Sequence, residues 1–188
     1  IDYLPLGFDQ IREDLKFIGQ NMPNPMIGWY DPNFGVRFDE YMSVIEEAAP
    51  NASVPFIAES SLSLLSEKNV SRLGKAGCVA ILPGVESWYG MGNKSGTGRD
   101  QGEEKVRQVS DHINMILRHI PYVQTNFVLG LDSDIGAEPF ELTKKFIDLT
   151  PGAFPAYSLF SAFGEAAPMN ADLQRDGRVI GFPHFFLD

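Results

Sequence analysis

Cysteine is almost absent: Cys78 is the only one among 188 residues. A single thiol cannot close a disulfide within the chain, which excludes a disulfide-stapled secreted scaffold and points to a reducing compartment, the cytoplasm. Set between Gly77 and Val79, Cys78 reads as a small buried apolar residue. Long apolar runs are missing too. No stretch approaches the roughly 18 apolar residues of a membrane span, and no basic start leads into an apolar run, so neither a span nor a signal peptide is expected. Positive charge is scarce, with 15 Lys and Arg against 25 Asp and Glu and a net charge of -10. Such a chain repels phosphate backbones, so no nucleic-acid partner is expected. Of the three histidines, His112 and His119 share one helical segment and His184 stands far from both, a spacing that does not suggest a metal site.

What is present fits an ordinary globular domain. Hydrophobic residues make up 44% and charged residues 21%, and the length is enough for one domain with a sizeable core. Residues 1–188 are therefore read as a single domain, with 161–188 as an irregular C-terminal extension. The sequence opens on Ile1 and stops after the run Phe182 to Leu187, so it is expected to be an excised piece of a longer protein.

Helix and strand signals alternate. Phe8, Ile11, Leu15 and Ile18 recur at helical spacing and predict a helix from Phe8 to Gln20, ended by Pro23 and Pro25. Met26 to Tyr30 reads as a strand that stops in the turn Asp31-Pro32-Asn33-Phe34-Gly35. Phe38, Tyr41, Met42 and Ile45 mark the next helix, and Val54 to Ala58 the next strand, followed by Glu59, Ser60 and Ser61. A helix carrying Leu64, Val70 and Leu73, capped by Ser66 with Glu67 in its first turn, leads through Gly77 to a strand at Cys78 to Leu82 that ends at Glu86. The connection from Trp88 to Gly102 holds five glycines, and a loop of that length inside a compact domain is commonly functional or mobile. It contains Lys94 and Ser95, but Asn93 stands where a phosphate loop needs glycine. Val106, Val109, Ile113, Ile116 and Ile120 then give a long amphipathic helix, and Val123 to Leu131 a strand followed by Asp132, Ser133 and Asp134. Pro139 suits the first turn of a helix whose inward residues read as Phe140, Phe146 and Leu149, and Phe154 to Phe160 is the last strand.

The strand ends fall at Asp31, Glu59, Glu86, Asp132 and Ser158, with gaps of 28, 27, 46 and 26 residues by subtraction. One helix per strand at that period implies right-handed crossovers and a parallel sheet, with the polar strand ends gathered on one rim. Five strands cannot close an eight-stranded barrel, so the sheet is a doubly wound open sheet or part of a barrel; the pattern alone does not decide.

Four stretches resemble radical S-adenosylmethionine enzymes, in particular the subgroup that often carries an upstream cobalamin-binding domain. WYDPNFG lies where that family binds the methionine end of its cofactor, often through a Gly-Gly-Glu that is absent here. FIAESS with LSEKNVSRLGKAGCVAILPGVES is similar to the family's third strand, helix and fourth strand. NFVLGLDSD resembles its GxIxGxxE-like fifth strand, and AYSLF its sixth. The resemblance covers roughly Phe8 to Phe160. It implies an incomplete TIM-type α/β barrel, binding S-adenosylmethionine and, in the longer protein, a [4Fe-4S] Fe-S oxidoreductase that generates a 5′-deoxyadenosyl radical. Cobalamin would sit on a neighbouring domain. The family holds its cluster with three cysteines spaced CxxxCxxC; this chain has none of them, so the ligands and the preceding strand are expected upstream of Ile1, and the fragment alone is expected to be inactive.

On this reading the cofactor-binding candidates are Asp31, Asn33, Glu59, Glu86, Asn126, Gly130, Asp132 and Ser158. Several have a plainer explanation. Asp31 suits an Asx turn, Glu59 a solvated strand end, and Glu86 an ion pair with Lys94, Arg99 or Lys105. Asn126 is a polar residue in an apolar strand that needs a partner, and Asp132 and Asp134 suit a helix start. The alternative function is a non-catalytic parallel α/β domain that binds a small ligand or a protein partner at the same rim. The expected partners are a small-molecule substrate, the flanking domains of the parent chain, and a second copy through the exposed edge of a truncated barrel.

Overall fold

The computed structural model describes residues 7–31, 33–90, 92–160 and 168–179. Helices and strands alternate as α1 (Phe8–Asn21), β1 (Ile27–Gly28), α2 (Phe38–Ala48), β2 (Phe56–Ser61), α3 (Glu67–Lys75), β3 (Cys78–Glu86), α4 (Gly92–Ser95), α5 (Gly102–Leu117), β4 (Tyr122–Leu129), α6 (Glu138–Leu149), β5 (Phe154–Leu159) and α7 (Pro168–Arg175). The five strands are parallel and neighbour one another in chain order, β1-β2-β3-β4-β5. That order decides between the two architectures left open by the sequence. A doubly wound sheet reverses direction at a switch point, whereas here every crossover steps the same way, which curls the sheet into a half-barrel with its helices on one face.

Burial follows that geometry. On the helix side of the sheet Phe56, Ala58, Ile81, Val85, Val123 and Phe127 are all 2% exposed or less, and they pack against Met42, Ile45, Val70, Leu73, Val109, Ile113 and Phe146 from the helices. Alternate residues facing the lumen, such as Ile57, Leu82 and Asn126, are only half-buried. The half-barrel therefore has a dry outer layer and an accessible inner face. α3 starts as its sequence suggests, with the Ser66 hydroxyl accepting from Asn69 N at 3.3 Å. Gly77 is needed after it because φ is +99° there.

Several bounds shift for physical reasons. β1 is only two residues long, held by Ile27 N donating to Pro55 O and Trp29 N to Ile57 O, before the chain turns away at Asp31 and Asn33. β2 and β3 are paired on both sides, and they continue through Ser61 and Glu86, so Glu59 lies inside a strand rather than after it. Leu64 belongs to a short 3-10 turn, Leu62–Leu64, that precedes α3. On α6 the buried residues are Pro139, Leu142, Thr143 and Phe146. Phe140, expected to point inward, is 54% exposed because it lies about 100° round the helix from buried Pro139. Leu149, also expected inward, shares the buried face three residues on from Phe146 but is 42% exposed as the last residue of the helix.

Residues 1–158 and 159–188 form two separate compact units. Within the second, α7 interrupts the stretch expected to be irregular, with Arg175 paired to Asp172 at 2.9 Å. The remainder of that extension, 161–167 and 180–188 with His184, lies outside the described residues. No helix among the described residues is long and apolar enough to cross a membrane.

Candidate functional site

Strand register assembles the lumen rim. Glu59 pairs with Leu82, and Ser61, Gly84 and Asn126 fall on one row across β2, β3 and β4. At about 4.8 Å between strands, that row spans about 10 Å, the width of a small ligand. Asn126 finds its required partner on its own face of the strand, where Gln124 Nε2 donates to Asn126 Oδ1 at 2.9 Å. Beneath the rim, half-buried Ile57 and Leu82 make an apolar floor.

At the mouth of β3 the backbone leaves regular geometry. The register shifts between Gly84 and Glu86, a bulge that re-aims side chains. Glu86 adopts φ +67°, a left-handed conformation that costs a non-glycine residue of the order of 1 kcal/mol or more. The outcome is that its side chain folds back over Gly84. A Cβ on residue 84 would collide with Glu86 Oε1 and lie 3.1 Å from its Cδ. Glycine at 84 is therefore the space that the carboxylate occupies.

Behind this bend sits Lys105, fully buried in the first turn of α5. Its Nζ donates to Ser87 O at 2.5 Å and to Gly90 O at 2.6 Å. Burial pulls the amine down from 10.5 to about 8, and the nearby Glu86 carboxylate opposes that pull. The long connection after β3 is closed at its base by Gly102 N donating to Trp88 O at 3.0 Å, and by Gln101 Nε2 to Tyr89 O at 2.9 Å. Trp88 is buried and donates to Thr143 Oγ1 at 2.8 Å. The loop is thus anchored at both ends.

The other expected residues divide between binding surface and scaffolding. Asp31 forms the Asx turn, with Asn33 N donating to its Oδ1 at 2.9 Å and Tyr41 OH to its Oδ2 at 3.0 Å. Asn33 clips β1 to β2, donating to Ser61 Oγ at 3.1 Å and accepting from Ser61 N at 3.0 Å. Gly130, with φ +87°, and exposed Asp132 lie in the turn after β4. That turn is organised by Asp134, whose Oδ2 accepts from Gly130 N and Leu131 N at 2.9 and 3.0 Å. Ser158 is exposed on β5. The structure therefore brings Asn33, Glu59, Glu86 and Asn126 together along β1 to β4. Sequence reasoning did not single out Gly84, and offered Lys105 only as one of three ion-pair partners for Glu86, whose carboxylate does act on its amine. A cation in the first turn of a helix, where the dipole opposes it, was the available signal for Lys105.

The residues present do not fit an iron-sulfur cluster. Cys78 lies at the start of β3, at the opposite end of the strand from the rim. Its Sγ donates to Ala80 O at 3.3 Å, and burial pushes the thiol up to about 12, so it stays protonated. Among the described residues no group of three His, Cys, Asp or Glu is placed to hold a metal. His112 bonds Leu65 O at 2.7 Å and His119 lies 3.9 Å from Glu67, both on the helix side of the sheet. Glu59, Asn126 and Glu86 lie on the lumen side of the sheet, above the half-buried Ile57 and Leu82.

No protein-family model matches the sequence, and no curated protein matches it. Solved structures do. The radical S-adenosylmethionine methyltransferase TsrM from Kitasatospora setae, with cobalamin and a [4Fe-4S] cluster bound, is similar over 90% of this chain and 34% of its own, with a TM-score of 0.70 at 11% identity. Coproporphyrinogen III oxidase (HemN) from Escherichia coli, a radical SAM enzyme, is similar over 94% of this chain and 42% of its own, with a TM-score of 0.52 at 14% identity. The chain thus spans less than half the length of either. With its five parallel strands in chain order, it shares a partial α/β-barrel fold with these two radical S-adenosylmethionine enzymes.

Proposed function

We propose that this chain is the S-adenosylmethionine-binding part of a radical SAM Fe-S oxidoreductase, and that Glu86 is its principal ligand contact. The observation that carries this reading is the Glu86 carboxylate, bent by a left-handed bulge over Gly84 at the mouth of the central strand. A carboxylate held there accepts from hydroxyl or ammonium donors on a bound ligand. Asn126 and Glu59 extend the polar rim on either side. Asn33 and Asp31 hold the β1 turn in place. Gly130 gives backbone access after β4, and Asp132 and Ser158 contribute at the β4 and β5 ends.

Reductive cleavage of S-adenosylmethionine needs thiolate ligands that these residues do not include, so the part played by this chain is binding and orientation. Cobalamin belongs to the proposal only as the cargo of a neighbouring domain, by analogy with the subgroup resembled. The chemistry of Cys78 leaves one competing reading, a non-catalytic α/β domain that binds a small molecule at the same rim.

The parent protein, purified without oxygen together with whatever precedes Ile1, separates the two. Our reading expects about four iron and four sulfide per chain, and 5′-deoxyadenosine on addition of reductant and S-adenosylmethionine. A folded parent protein with neither supports the non-catalytic domain instead.

A further inference from the structure

Lys105 is in the wrong place for every local reason. It puts a cation in the first turn of α5, beside Glu103 and Glu104 but against the positive end of the helix dipole. Its side chain is 0% exposed, although lysines ordinarily keep their ammonium in water. Its two short bonds go not to its own helix but to Ser87 O and Gly90 O, and Ser87 directly follows Glu86. The backbone at Glu86 is itself held in a conformation that a non-glycine residue does not keep unaided. One unfavourably placed ammonium therefore grips the chain immediately past one unfavourably bent residue.

We infer that Lys105 is a positioning residue, which fixes the chain leaving β3 so that Glu86 stays folded over Gly84 and presents its carboxylate to the lumen. The charges facing the ammonium explain why a lysine is needed there. Ser87 and Gly90 present carbonyl oxygens, and Glu86 from β3 is the carboxylate that favours its protonated form. A hydrocarbon of the same length would fill the space but could donate to neither carbonyl. Without that grip the bend would rest on its local bonds, Ser87 N to Val85 O at 3.0 Å and Tyr89 N to Ser87 Oγ at 3.2 Å, with the base of the loop tied by Gly102 N to Trp88 O and Gln101 Nε2 to Tyr89 O. The part of this inference that concerns a ligand rests on the S-adenosylmethionine reading; the part that concerns the bend does not.

The test uses Lys105→Met, Lys105→Gln and Lys105→Arg in this chain. The amide resonances of Glu86 and Ser87, recorded without ligand, report the bend directly. They are expected to move in Lys105→Met and Lys105→Gln and to stay close to wild type in Lys105→Arg, with near-wild-type signals elsewhere. Unmoved Glu86 and Ser87 resonances in a folded Met or Gln variant overturn the inference, whatever the ligand proves to be. S-adenosylmethionine titration adds the second arm. Lys105→Met is expected to weaken binding about tenfold or more, Arg to restore most of it, and Lys105→Met to add little in a Glu86→Gln background, since the two act as one unit. Additive losses in that cycle would show Lys105 acting by another route and overturn it. If wild type binds no S-adenosylmethionine while the resonances move as expected, the functional reading falls and the positioning role stands.

Discussion

Raising the pH from 8 to 9 is expected to stabilise this protein, against the usual trend on the alkaline side. The cause is Lys105, whose amine is pulled from 10.5 to about 8 by burial. A group whose folded pKa is depressed contributes stability above its unfolded pKa and loses it as the pH falls through its folded value. The unfolded chain binds the extra proton between pH 8 and 10.5, so stability climbs across that window, and the whole gap is worth about 3 kcal/mol. Cys78 works the other way. Burial raises its thiol from 9.0 to about 12, so its contribution is intact below pH 9 and is lost as the pH rises towards 12. Tyr89, raised from 10.0 to about 12 chiefly by burial, adds to that loss above pH 10. The expected curve therefore rises by about 1 kcal/mol between pH 8 and 9, flattens towards pH 10 and then falls. Urea unfolding at half-unit steps of pH measures it, with Lys105→Met as the control that should lack the rise. A wild-type curve that falls steadily from pH 8, or a rise that persists in Lys105→Met, refutes the assignment of the buried amine.

Other outcomes follow from packing and hydrogen bonding. Phe127 sits 5.4 Å from the rings of Trp88 and Phe146 and 5.7 Å from Tyr157, so Phe127→Ala should cost about 3 to 5 kcal/mol in urea unfolding. Asn33→Ala removes the acceptor of Ser61 N and should cost about 1 to 2 kcal/mol, with faster hydrogen exchange at Trp29 N as β1 loosens. Cys78, buried and held as a thiol, should react with iodoacetamide only at the rate of unfolding; rapid native labelling at pH 8 would show that β3 is not the packed strand described.

Much of the fold was legible because it depends on local repeats. The helical spacing of Phe38, Tyr41, Met42 and Ile45 matches α2, all four being buried, and the Ser66 cap starts α3 at Glu67. Three of the four gaps between strand ends, 28, 27 and 26 residues, announced parallel crossovers, but only the neighbour order told a half-barrel from a doubly wound sheet, because both use the same connection. The errors came where tertiary context outweighs composition. The apolar run Met26 to Tyr30 suits a strand by composition, but the Asx turn at Asp31 draws the chain away after two paired residues, and the chemistry of Phe140 suits the core although its helical position points it out. At the candidate site, the strand end at Glu86 and a nearby Lys105 were legible in the sequence. The bend, the vacant side of Gly84 and the bonds from Lys105 to the Ser87 and Gly90 carbonyls were not, since they arise from contacts between β3, its loop and α5.

Titration of S-adenosylmethionine into the wild-type chain and into Glu86→Gln, by calorimetry under identical conditions, tests the central claim most directly. Wild type is expected to bind one equivalent, and Glu86→Gln, which keeps the shape but loses the charge, to bind about tenfold more weakly or worse. Equal binding by the two proteins, or none by wild type, would contradict a site built on the bent carboxylate of β3.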